Sequence, residues 1–108
     1  MPKQDIGQLQ LAPRHLAMLR DILRRHAPAS QVWAYGSRVT GKSHEGSDLD
    51  LVLRNTVNLS VRTPEWPDLQ EALRDSDLPI LVDVHDWASL PEDFHRNIER
   101  AYVEIQAA

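Results

Sequence analysis

Residues Gly36–Asp50 read GSRVTGKSHEGSDLD, and two phosphate-binding patterns share these letters. The first is GxxxxGK(S/T), met by Gly36, Gly41, Lys42 and Ser43. This is the Walker A spelling, and Ile80-Leu81-Val82-Asp83 downstream resembles a Walker B strand. The second is Gly36-Ser37, ten residues, then Asp48-Leu49-Asp50, with Asp83 on a later strand. A Walker A loop works because a helix of several turns begins at its Lys-Ser and aims free N–H groups at the phosphates. Here Ser43 is followed by His44, Glu45, Gly46 and Ser47 before the acidic strand begins. Four residues, one of them glycine, do not build that helix. The second pattern is therefore preferred, and a P-loop NTPase using Gly36–Ser43 is the lesser alternative.

Asp48 and Asp50 are two apart on an expected strand, so both side chains leave the same face, roughly 6–7 Å apart along the chain. Leu49, Leu51 and Leu53 point the other way, into a core. Two carboxylates so placed repel each other unless positive charge lies between them. Oxygen donors suit Mg²⁺, and two ions about 4 Å apart clamp the attacking and leaving oxygens of a phosphoryl or nucleotidyl transfer. In the strand expected over Ile80–His85, Asp83 shares a face with Leu81 and His85, while Ile80, Val82 and Val84 face the core. If the two strands pair, three carboxylates converge. Gly36 and Ser37 end the preceding strand, where glycine lets backbone approach a phosphate and serine offers a hydroxyl. Arg38 to Lys42 adds one short helical turn.

The rest of the chain supplies a frame for this segment. Pro13 opens a helix with Leu16, Leu19 and Leu23 on one face, closed by Arg24, Arg25 and His26 and stopped by Pro28. Gln31–Tyr35 reads as a strand, and Asp48–Leu53 as another. Arg54 to Arg62 is a polar connection. Pro64 begins a second helix carrying Trp66, Leu69 and Leu73, ended by Asp75-Ser76-Asp77. Ser89 and Glu92 have capping-box spacing, and the helix they start carries Phe94, Ile98, Tyr102 and Ile105 on one face. The order predicts an α+β (α/β-like) domain, a small mixed sheet flanked by helices, over residues 1–108. Trp33, Trp66 and Trp87 are core candidates. His15, His26 and His95 read as surface or packing residues, His44 as a solvent-exposed loop residue, and His85 as a neighbour of the acidic site.

Composition agrees. The 108 residues carry 12 Lys and Arg against 16 Asp and Glu, a formal charge of −4 that argues against direct nucleic-acid or membrane-surface binding. With no cysteine, disulfides, thiolate metal sites and a cysteine nucleophile are excluded. No segment approaches the roughly 18 apolar residues of a membrane span and no signal-peptide pattern is present, so a soluble, cytoplasmic protein is expected.

Gly36–Leu53, GSRVTGKSHEGSDLDLVL, resembles the GSx10DxD element of the minimal nucleotidyltransferases (MNT) of the DNA polymerase β superfamily. Leu78–Trp87, LPILVDVHDW, resembles their third-strand element. The resemblance implies a polymerase β-type nucleotidyltransferase fold in which Asp48 and Asp50 hold two Mg²⁺ ions and Asp83 completes the catalytic metal site. It also implies that Gly36, Ser37 and Arg38 bind the nucleotide. Larger members hold the acceptor with extra domains for which this chain has no room, so another polypeptide is expected to supply it, in a homo- or hetero-oligomer. Chains of this size resemble the antitoxins of HEPN–MNT toxin–antitoxin pairs, some of which move AMP from ATP onto a tyrosine of the HEPN toxin. The alternative is a partner that neutralises by contact, its nucleotide site vestigial.

Overall fold

The computed structural model describes residues 3–107. Five strands form one mixed sheet in the order β1-β5-β2-β3-β4: β1 Lys3–Gln4, β2 Gln31–Tyr35, β3 Leu49–Arg54, β4 Val82–Asp86 and β5 Tyr102–Gln106. β2 runs antiparallel to β3 and β5, whereas β3–β4 and β1–β5 are parallel. Four helices accompany it, α1 Pro13–His26, α2 Ser37–Thr40, α3 Trp66–Arg74 and α4 Glu92–Glu99. The expected α+β class and the mixed sheet are both present.

Strand alternation gives the sheet two unlike faces. Val32, Ala34, Leu49, Leu51, Leu53, Val84, Val103 and Ile105 form an aliphatic face, covered by Leu19 and Leu23 of α1 and Leu69 and Leu73 of α3. The opposite face carries Trp33, Tyr35, Val52 and Trp87, packed against Ile98 of α4 with Phe94, Leu90 and Tyr102 at its margin. The helices begin and end where local chemistry directs. Pro13 fits the first turn of α1 and its last turn is basic. α3 has proline and Asp68 in its first turn. The loop over 55–65 is tied to β4, where the buried carboxylate of Asp86 accepts from Thr63 N (2.9 Å) and Thr63 Oγ1 (3.3 Å).

Two expectations are corrected here. The last helix does not reach Ile105: it ends at Glu99, and Tyr102–Gln106 is a strand lying between β1 and β2. Val103 and Ile105 alternate inward, while Tyr102 stacks on Trp33 at 3.8 Å on the other face. Nor does Ser89 cap α4, whose N-cap is Pro91, because Trp87–Ser89 forms a separate 3₁₀ turn. Smaller shifts place Asp48 one residue before β3 and start β4 at Val82 rather than Ile80.

Candidate active site

The chain leaves β2 through Gly36, whose φ of +84° is open to glycine at little cost. Space imposes the same choice. A Cβ on Gly36 would lie 2.4 Å from Asp50 Oδ2, so the turn backbone is pressed directly against that carboxylate. Ser37 is the first residue of α2, so the N–H groups of Ser37 and Arg38 precede the first intrahelical bonds, which Val39 and Thr40 make to Gly36 O. The turn ends at Gly41, φ +83°, whose N–H returns to Ser37 O. No helix starts at Lys42-Ser43, and residues 42–48 are irregular. The helical turn precedes the Lys-Ser pair instead of following it, which removes the structural basis of the Walker A reading.

Asp50 sits in register with Tyr35 of β2 on one side and Asp83 of β4 on the other. Three strands thus carry a row Tyr35–Asp50–Asp83 across the aromatic face of the sheet, at the end nearest Gly36. Asp48 lies exposed just before β3. His85 Nε2 is 3.2 Å from Asp83 Oδ2, and Phe94 of α4 meets Tyr35 edge-on at 6.0 Å between ring centroids, with His85 at 6.3 Å. Sequence reasoning did not single out Tyr35 or Phe94. Tyr35 was detectable as the residue before Gly-Ser on a strand antiparallel to β3, but Phe94 depends on where α4 docks.

The row is electrostatically crowded. Burial raises the Asp50 pKa, and Asp83 and then Asp48 raise it further, with His85 opposing them. Burial, with Asp50 and Asp83 adding, pushes the Tyr35 phenol far above its ordinary range, so it stays protonated. Among the described residues no three such side chains are already closed around a common point. The donor set itself, three carboxylates with no sulfur ligand, fits a hard divalent cation, whose charge would relieve the repulsion that raises Asp50.

Arg38 is anchored through its side chain. It is 7% exposed, and its guanidinium donates to three backbone carbonyls: Ser47 (2.9 Å, from Nε), Glu45 (3.1 Å, from Nη2) and Gln10 (from Nη1). Three of its five N–H groups are thus committed to holding the loop before Asp48 against the N-terminal segment. Ser43 Oγ adds a bond to Gln10 Oε1 and Gln10 N donates to Arg38 O at 2.7 Å. Gln10 is the half of this tie that the sequence did not signal.

Comparison with known proteins agrees with this architecture. The family model described as "Polymerase beta, Nucleotidyltransferase" matches residues 18–106. A Haemophilus influenzae protein named "Probable protein adenylyltransferase MntA" is 42% identical over 102 residues, 94% of this chain and 88% of its own length. A solved structure titled "Crystal structure of the toxin-antitoxin with AMP-PNP" superposes with a TM-score of 0.65, covering 91% of this chain and 75% of the other at 20% identity, a likeness of fold. The match over most of the chain, on a sheet that aligns Asp50 with Asp83 beside the Gly36 turn, shows that the protein belongs to the polymerase β nucleotidyltransferase family.

Proposed function

We propose that the protein is an Mg²⁺-dependent protein adenylyltransferase acting as an antitoxin, which transfers AMP from ATP to a tyrosine hydroxyl of a partner HEPN toxin and releases pyrophosphate. The observation that carries this reading is the register of Asp50 with Asp83 beside the Gly36 turn. The name of the Haemophilus influenzae relative supports adenylyl transfer, and the toxin–antitoxin title of the structural neighbour supports the biological setting.

Each step falls to a named group. The Gly36 turn brings backbone close to the phosphates, with the Ser37 hydroxyl and the free N–H groups at the start of α2 facing them. Asp48, Asp50 and Asp83 would hold two Mg²⁺ ions, which supply neutralising charge for the phosphate oxygens. Asp83 accepts the proton of the acceptor hydroxyl. The tyrosine oxygen bonds to the α-phosphorus while the bond from that phosphorus to the α–β bridging oxygen breaks, and pyrophosphate carries the electron pair away. Tyr35, held neutral, adds no charge to the row.

The test compares wild type with the double variant Asp48→Asn, Asp50→Asn, each co-expressed with the HEPN toxin proposed as its partner. The expected result is an AMP adduct on a toxin tyrosine by mass spectrometry and rescued growth with wild type, both lost in the variant. Rescue by the variant with no adduct in either case would replace catalysis by neutralisation through contact.

A further inference from the structure

A groove of about 430 Å³ runs along the outer side of β4, bounded by Arg62, Pro64, Trp66, Pro67, His85 and Leu90. Its walls are preformed. The Trp66 indole is fixed by donating Nε1–H to Val84 O at 2.9 Å, and the loop carrying Arg62 is pinned by Thr63 on Asp86. The Trp66 bond also occupies the Val84 carbonyl, so an incoming chain meets the indole there rather than that backbone group. At one end the groove opens on His85, whose Nε2 lies 3.2 Å from Asp83.

We infer that this groove is the acceptor site for the adenylyl transfer proposed above, on which the inference rests. It receives an apolar segment of the acceptor protein, next to the modified hydroxyl, with an acidic side chain against Arg62. Sheet order assigns the direction. The phosphate-binding turn at Gly36 follows β2, Asp50 is on β3, and Asp83 is on β4, in that order across the sheet. Attacking and leaving oxygens are roughly in line across the transferred phosphorus. With the leaving pyrophosphate held at the β2 side, the nucleophile enters from the β4 side, where this groove lies. Its Trp, Leu and Pro walls match an apolar side chain, and among the described residues Arg62 is exposed and has no ion-pair partner.

The probe is a peptide library with a central tyrosine and randomised flanks, offered to the whole chain with MgATP. AMP transfer is read by mass spectrometry, and binding by the Trp66 indole N–H resonance. The variants are Arg62→Glu and Pro67→Glu. Both positions are exposed, and an acid in the first turn of α3 is compatible with its dipole. The expected result is enrichment of apolar and acidic flanks, with a shifted Trp66 resonance. Arg62→Glu exchanges the acidic preference for a basic one, and Pro67→Glu raises the acceptor KM about tenfold with the ATP KM unchanged. Transfer without flanking preference, or with a preference that Arg62→Glu leaves intact, overturns the groove and leaves adenylyl transfer standing. Selective binding at Trp66 that Arg62→Glu inverts, with no AMP transferred to any peptide, keeps the groove and overturns the tyrosine acceptor. An unmoved Trp66 resonance overturns the groove in every case.

Discussion

Gly36 combines two constraints that a single methyl group violates together. Alanine there would hold φ near +84° and would place its Cβ 2.4 Å from Asp50 Oδ2, so either the turn or the carboxylate must move. Gly36→Ala is expected to cost more than about 1 kcal/mol in urea denaturation and to lower AMP transfer by on the order of 100-fold. An unchanged activity would show that the turn does not position the phosphates. Asp83 gives the opposite balance. The Asp50 carboxyl has a raised pKa in the folded protein, from burial first and then Asp83, so between its unfolded and folded values the native state binds more protons. Stability from this group therefore falls as pH rises through that window. Asp83→Asn removes one cause of the rise, so without divalent cations its Tm at neutral pH is expected to exceed that of wild type. That gain shrinks on acidification, while transfer is lost. A Tm gain that persists unchanged below the carboxylate range would contradict this account. A site that costs stability to hold is common where function demands it. The shared face of Asp50 and Asp83 was legible in the sequence because strand phase alone sets it, whereas Asp48 falls one residue before β3. The bonds of Arg38 to three backbone carbonyls were not legible, because its position beside Gly-Ser says nothing about which way its side chain turns.

β5 shows how two periodicities can compete for the same letters. Phe94, Ile98, Tyr102 and Ile105 fit a helical face, while Val103 and Ile105 also fit a strand alternating with Glu104 and Gln106. Tertiary pairing decided between them. β2 is flanked by β3 on one side and needs a partner on the other, and β5 fills that edge with Val103 fully buried. The signal available in sequence was the β-branched pair in YVEIQ, outweighed by the longer helical run preceding it. β1 was beyond reach, since two residues carry no period. The consequence is measurable by native-state hydrogen exchange. Although β5 lies near the end of the chain, its amides facing β2 are expected to exchange as slowly as those of β2 and β3, whereas the short edge strand β1 exchanges through local fraying. Fast exchange throughout Tyr102–Gln106 would mean that the strand is peripheral. The loop over residues 42–48 depends on Arg38 in the same way that the sheet depends on β5. Arg38→Ala leaves three carbonyls without their donor and is expected to cost about 2–4 kcal/mol, and to raise the KM for ATP more than it lowers kcat.

The molecule as a whole is one sheet closed unequally. Among the described residues two helices cover the aliphatic face, while α4 alone covers the aromatic face that carries the carboxylate row. Repulsion within that row is part of the native state and absent from the extended chain, so a cation that settles among Asp48, Asp50 and Asp83 binds the folded form selectively. Mass action then converts occupancy into stability: Mg²⁺ at ten times its dissociation constant adds about 1.4 kcal/mol, which for a domain near this size raises Tm by roughly 5–10 °C. Chelation should reverse the rise, and NaCl at matched ionic strength should reproduce little of it, because screening acts on every exposed charge whereas coordination acts on these three. Asp50→Asn should abolish the rise while leaving the sheet intact, since Leu49, Leu51 and Leu53 on the same strand keep the aliphatic core packed. An equal Tm shift in wild type and Asp50→Asn would assign the effect to the net charge of −4 as a whole, and would remove the carboxylate row from the metal chemistry.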